Sequence, residues 1–119
     1  MSSAGHFRAV TYIEHMIEAI GTALAYVENC GETEFIADKR TQQAVIMNIL
    51  IAGEAATKLA TRHPDYIRKH PEIPWRSIRG MRNRLIHGYF EINLETVWNT
   101  LQHDFPALHE QLSRIKAKS

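Results

Sequence analysis

The stretch RNRLIHGYF, residues 82–90, gathers Arg82, Asn83, His87 and Tyr89 and then meets Gly88, a residue that commonly ends helices. Histidine moves protons near neutral pH. Arginine offers a planar fork of donors to phosphate oxygens, whose charge grows during phosphodiester cleavage. If the 2′-hydroxyl of RNA is the nucleophile, such a pair needs no metal ion. Tyr89 could stack on a base or offer its phenolic oxygen. These residue types suit a catalytic site or a modification site. They equally suit a solvated arginine face with a histidine resting on the negative end of a helix dipole.

The geometry of one helix sharpens the choice. With Arg82 as zero, Ile78, Met81 and Leu85 fall at about −40°, −100° and −60° on a wheel of 100° per residue, forming a buried stripe. Arg79, Asn83, Arg76 and His87 fall at about 60°, 100°, 120° and 140°, away from the core. Asn83 and His87 are an i, i+4 pair that can touch. Arg82 and His87 lie nearly a turn and a half apart, and they converge better if the helix loosens at Gly88 or if a second copy supplies the partner. Arg76 and Arg79 on the same face are candidate phosphate contacts. Between Tyr66 and Arg84 six cations face a single acid, Glu72, although the whole chain carries only +1. A local basic surface can attract phosphate on a nearly neutral protein.

The elements that position this segment read as helices throughout. Val10, Ile13, Ile17, Ile20, Leu24 and Val27 recur in steps of three and four, predicting a helix from about Gly5 to Asn29 with Gly31 as its C-terminal cap. Thr33 is expected to cap a single turn through Phe35 and Ile36, and Asp38 to cap a broad apolar helix over residues 39–62. Glycine inside that helix, at Gly53, implies a close helix contact. Neighbouring Glu54 is a candidate partner for a site arginine, in a structural or a catalytic role. HPDYIRKHPEIP, with three prolines, reads as a connector holding at most a turn or two of helix. The next helix starts at Pro74 or Trp75 and ends at Gly88. The last begins at Asn93 and runs Leu94, Val97, Leu101, Phe105, Leu108, Leu112, Ile115, with a kink near residues 102–105 imposed by Pro106. Trp75 and Trp98 read as core or interface anchors. The expected fold is all-α, an up-and-down bundle of four long helices plus short ones in a single domain over 1–119.

Composition narrows the class. With 45% hydrophobic and 23% charged residues the chain is an ordinary globular one. No uninterrupted apolar run approaches membrane-spanning length, and MSSAGHFRAV lacks a leader's pattern, so a cytoplasmic protein is expected. The single Cys30 reads as an inert thiol, and His6, His15, His63, His70, His103 and His109 show no zinc-like spacing, so neither metal nor cofactor is expected.

RNRLIHGYF matches the Arg-x4-His-x-Tyr motif of the HEPN superfamily. Together with GEAATK at 53–58, HPEIPW at 70–75, GMRNRLIHGYF at 80–90 and VWNTLQHDFPAL at 97–108, the chain closely resembles the HepT toxin family from about Tyr12 to Leu108. The resemblance implies a metal-independent endoribonuclease that dimerises so that two motifs face one cleft. Arg82 and His87 would be the catalytic pair and Asn83 the polar neighbour that orients them. It also implies an MntA-like nucleotidyltransferase antitoxin that silences the toxin by adding AMP to Tyr89. The alternative is a noncatalytic helical subunit that binds nucleotide or the antitoxin.

Overall fold

The computed structural model describes residues 3–119; Met1 and Ser2, at the start of the segment read above for a leader, lie outside the described residues. Seven α-helices follow one another: α1 (Ser3–Tyr26), α2 (Glu32–Ala37), α3 (Lys39–Arg62), α4 (Pro64–Lys69), α5 (Trp75–His87), α6 (Leu94–Asn99) and α7 (Phe105–Ala117). A 3-10 turn at Tyr89–Glu91 follows α5, and a π-helical turn at Thr100–Asp104 joins α6 to α7. The expected all-α bundle is what forms.

α3 is the central element, packed against α1, α2, α4 and α5. Asp38 caps it as expected: its carboxylate accepts from the Thr41 N–H at 3.2 Å and from the Thr41 hydroxyl at 2.7 Å, satisfying a donor left over at the helix start. Val45, Ile46, Ile49, Ala52, Ala55, Ala56 and Leu59 are buried along it. By length and mean hydropathy alone α3 is apolar enough to cross a membrane, although Asn48 and Glu54 interrupt its apolar runs; 44% of its most apolar window is buried inside the bundle.

α1 runs against α3 in the opposite direction. Tyr12 near its beginning accepts a hydrogen bond from Arg62 at the end of α3, at 2.7 Å, while the short α2 joins their other ends. The buried line of α1 is Ala9, Ile13, Met16, Ile20, Ala23 and Val27, a rotation from the expected stripe: Val10, Ile17 and Leu24 are only partly buried. Small alanines let the backbones approach, and the larger residues flank the seam. α7 lies beside α1 too, with Lys116 paired to Glu14 at 3.2 Å. In the core Phe35 is fully buried and its ring centroid lies 5.5 Å from that of Trp98.

Two cap assignments change. α1 ends at Tyr26, in tightening turns such as Val27 N–H to Leu24 C=O at 3.2 Å. Gly31 does not terminate it; Gly31 is extended (φ −88°, ψ 170°) and precedes α2, its N–H donating to Glu34 Oε1 at 3.2 Å. Thr33 therefore lies inside α2 and caps nothing.

Asn93 caps the last helical run, accepting from the Thr96 N–H at 3.0 Å. The kink expected at Pro106 takes the form of the π turn, in which the Phe105 N–H reaches back to the Thr100 carbonyl. Proline cannot donate and its ring crowds the carbonyl four residues back. Widening the preceding turn by one residue relieves that crowding, and the buried line continues through Leu101, Phe105, Leu108, Leu112 and Ile115.

Candidate active site on α5

α5 begins at Trp75, whose indole N–H donates to the His70 carbonyl at 2.9 Å and ties the proline-rich connector to the helix start. Leu85 is buried, Ile78 and Met81 are partly buried, and Arg76, Arg79, Asn83 and His87 are exposed, so the polar face predicted by the wheel is the solvent face.

Arg82 sits at the seam with α3. A β-carbon built on Gly53 would lie 2.3 Å from Arg82 Cβ and 2.7 Å from Cγ, so the arginine stem occupies the space that any other residue at 53 would fill. From there its guanidinium donates to Glu54 Oε2 at 2.7 Å and to Asn83 Oδ1 at 2.9 Å. Its Nε is buried and has no acceptor among the described residues. The Arg82 side chain is 26% exposed and that of Glu54 48%, a setting in which an ion pair contributes about 1 kcal/mol or less. Phosphate oxygens, with more charge and two acceptors in the plane of the fork, can displace such a carboxylate. Glu54 also approaches Lys58, at 3.9 Å.

The expected Asn83–His87 contact is not made. Asn83 turns its carbonyl to Arg82, and no hydrogen bond to the His87 side chain occurs among the described residues. His87 is the last residue of α5, followed by Gly88, whose N–H closes on the Arg84 carbonyl at 2.9 Å. Gly88 ends the helix as expected but at φ −122°, outside the left-handed region. Tyr89 opens the 3-10 turn half exposed, its ring edge-on to Phe90 with centroids 5.9 Å apart.

Sequence reasoning assigned no role to the apolar residues around these groups. Ile86, at about 40° on the wheel between Arg82 and Arg79, is 46% exposed, and Phe90 is 99% exposed. Met47 and Ile51, one turn apart on α3 and leading to Glu54, are exposed as well. Their departure from the apolar stripes was the available signal.

The remaining candidates fall elsewhere. A cleft of about 380 Å³ is lined by Ile78 and Met81 together with the π turn, and Arg82, Asn83, His87 and Tyr89 do not line it. Among the described residues no group of three or more His, Cys, Asp or Glu comes together. Partial burial, then Glu34 and Asp38, push the Cys30 thiol up, disfavouring the reactive thiolate.

A family model described as ribonuclease HepT-like matches residues 16–115. A protein named "Probable ribonuclease HepT" from Thermococcus cleftensis is 36% identical over 88% of this chain and 93% of its own length. Relatives bearing provisional RNase names come from Caldanaerobacter subterraneus subsp. tengcongensis, 31% identical over 90% of this chain and 93% of the relative, and Methanocaldococcus jannaschii, 31% identical over 90% and 89%. No solved structure gives a significant match. A helical bundle that presents Arg-x4-His-x-Tyr at the exposed end of α5, and that matches this family over most of its length, belongs to the HepT-like ribonucleases.

Proposed function

We propose that the chain is the toxin of a toxin–antitoxin pair, a metal-independent endoribonuclease acting in the cytoplasm as a homodimer and silenced by AMP addition to Tyr89. The observation that carries the reading is the setting of Arg82: held over Gly53, weakly paired to Glu54, on a helix that also exposes His87 and two further arginines. In the reaction the RNA 2′-oxygen bonds to phosphorus and the bond from phosphorus to the 5′-oxygen breaks. A 2′,3′-cyclic phosphate and a 5′-hydroxyl result. His87 removes the 2′-hydroxyl proton or returns one to the leaving oxygen, and Arg82 and Arg79 stabilise the charge on the phosphoryl oxygens.

A second copy supports this chemistry. Arg82 and His87 share no hydrogen bond in the monomer, and the exposed Met47, Ile51, Ile86 and Phe90 provide an apolar surface near them. Two copies joined there bring two histidines to one cleft, one to take a proton and one to give it. An MntA-like nucleotidyltransferase antitoxin would transfer AMP from ATP to the Tyr89 oxygen with release of pyrophosphate. The added phosphate would then occupy the arginine site and exclude RNA.

One observation favours a noncatalytic subunit: Arg82 is already paired to Glu54. Incubating the purified protein with single-stranded RNA in EDTA decides between the two. The RNase reading expects cleavage with cyclic phosphate ends; intact RNA, or cleavage only with added divalent cations, overturns metal independence.

A further inference from the structure

At the far end of α3 from Met47 lies a second group of polar side chains. Arg8, Thr11, Tyr12 and His15 from α1 meet Arg62 and His63 from the end of α3 around a cleft of about 420 Å³. Among the described residues two guanidiniums, two imidazoles and two hydroxyls line it, and no carboxylate does. Arg62 donates to the Tyr12 hydroxyl at 2.7 Å, and the Tyr12 ring lies 6.4 Å from His15 and 6.1 Å from His63, centroid to centroid.

Among the described residues some surface cations are compensated by ion pairs, and others, here as at Arg76, Arg79 and Arg84 on α5, are not. Arg68 pairs with Asp65, Arg114 with Glu110, and Lys116 with Glu14, which draws that carboxylate to α7. Among the described residues neither Arg8 nor Arg62 belongs to an ion pair. The dipole of α3 favours cations at its C-terminus and accounts for Arg62. It does not account for Arg8 and His15, which α1 brings to the same place.

A line of side chains on α3 leads from the candidate active site toward the cleft. Glu54, Lys58 and Arg62 follow at i, i+4 and i+8 on one face of α3, about 12 Å from end to end at 1.5 Å per residue. Glu54 holds Arg82 at one end, Lys58 lies next along, and Arg62 opens the cleft at the other. Among the described residues none of the exposed large apolar side chains lines this cleft, whereas a protein-binding surface has an apolar core. Unpaired cations interleaved with a tyrosine and histidines suit a nucleic-acid backbone with bases stacked alongside.

We propose that the α1–α3 cleft is a second phosphate-binding site, gripping the RNA strand through Arg8 and Arg62 a few nucleotides from Arg82 and His87, with Lys58 as the stepping stone between. It rests on the RNase reading for the identity of the ligand, but binding tests it without cleavage. The probe is a fluorescent, 2′-O-methyl single-stranded RNA, long enough to span both sites and unable to undergo 2′-oxygen attack. Its affinity is measured in EDTA over a range of salt concentrations. The double variant Arg8→Gln/Arg62→Gln, with melting temperature checked, should bind about tenfold more weakly, and the slope of log affinity against log salt should fall by about 1.4 for two lost phosphate contacts on a single strand. A dinucleotide with a single phosphate, too short to engage both sites at once, should compete equally well against both proteins. If the double variant folds poorly, Arg8→Gln alone, at an exposed position, should give half the change in slope. Unchanged affinity and slope in the long strand overturn the proposal. So does unchanged RNA binding accompanied by loss of an antitoxin complex, which makes the cleft a protein surface. If RNA binds in an Arg8- and Arg62-dependent way but is never cut, the cleft stands and the RNase reading falls.

Discussion

Arg82 reaches Glu54 because residue 53 has no side chain: the arginine stem lies where the Gly53 β-carbon would be. Backbone and stem are both on fixed helices, so neither can yield cheaply. Gly53→Ala is expected to lower stability by roughly 1 to 2 kcal/mol despite alanine's better helix propensity, because overpacking outweighs it. It should also cost RNase activity by moving the guanidinium. Gly80 is the control, since its β-carbon would meet only the flexible end of Arg84 at 3.4 Å; Gly80→Ala should gain about 0.5–1 kcal/mol. Denaturant unfolding of both variants checks the pair, and a stable, active Gly53→Ala would contradict the packing argument.

Dimerisation should be sensitive to the exposed apolar group and not to the core. Phe90→Glu removes no buried contact in the monomer, so its melting temperature extrapolated to low concentration should be unchanged. Its dimer dissociation constant should rise at least about thirtyfold, the effect of losing one interface anchor. Sedimentation velocity reads this directly. An unaltered dimer would place the interface elsewhere.

The α3 cap gives a pH signature. Hydrogen bonding from the Thr41 side chain, then from its backbone, holds the Asp38 carboxyl below its ordinary value of 3.8. A folded-state value lower than the unfolded one contributes stability that is full above the unfolded value and is lost as pH falls through the folded one. Asp38→Asn keeps a capping oxygen but cannot titrate. The melting-temperature advantage of wild type over Asp38→Asn should therefore be flat near neutrality and shrink from roughly pH 5 downward. A constant difference down to the acid end of the titration would contradict the assignment.

Tyr89 separates a regulated toxin from an unregulated RNase. It follows the end of α5 and is half exposed, open to a partner's active site. Tyr89→Phe keeps the ring and loses only the nucleophilic oxygen, so it should fold, dimerise and cleave but escape silencing. Intact mass after incubation with the nucleotidyltransferase, ATP and magnesium should show added AMP on wild type alone. Added AMP on Tyr89→Phe would assign the modification to another residue.

Much of this arrangement was legible in the sequence because it rests on local rules. Asp38 and Asn93 announced helix starts, Pro106 announced a disturbed turn, and Gly53 announced a close contact whose partner was Arg82. Gly88 ended α5 as read, whereas Gly31 misled: α1 closes in tightening turns before it, and Gly31 precedes α2 instead. Asn83 turned to Arg82, whose charged guanidinium is a strong donor to its carbonyl. The Arg8 and Arg62 cleft was invisible, since residues that far apart in sequence meet only through the antiparallel packing of α1 on α3.

The central claim is that His87 moves the proton in phosphodiester cleavage, and the cleavage rate of His87→Ala against wild type tests it most directly. The histidine is exposed at the end of α5, so the variant should melt and dimerise like wild type. Measured on one labelled RNA in EDTA, its rate should fall by about a hundred- to ten-thousandfold, the contribution of a positioned proton-transfer group. A folded, dimeric His87→Ala that cleaves within a few-fold of wild type would contradict the account.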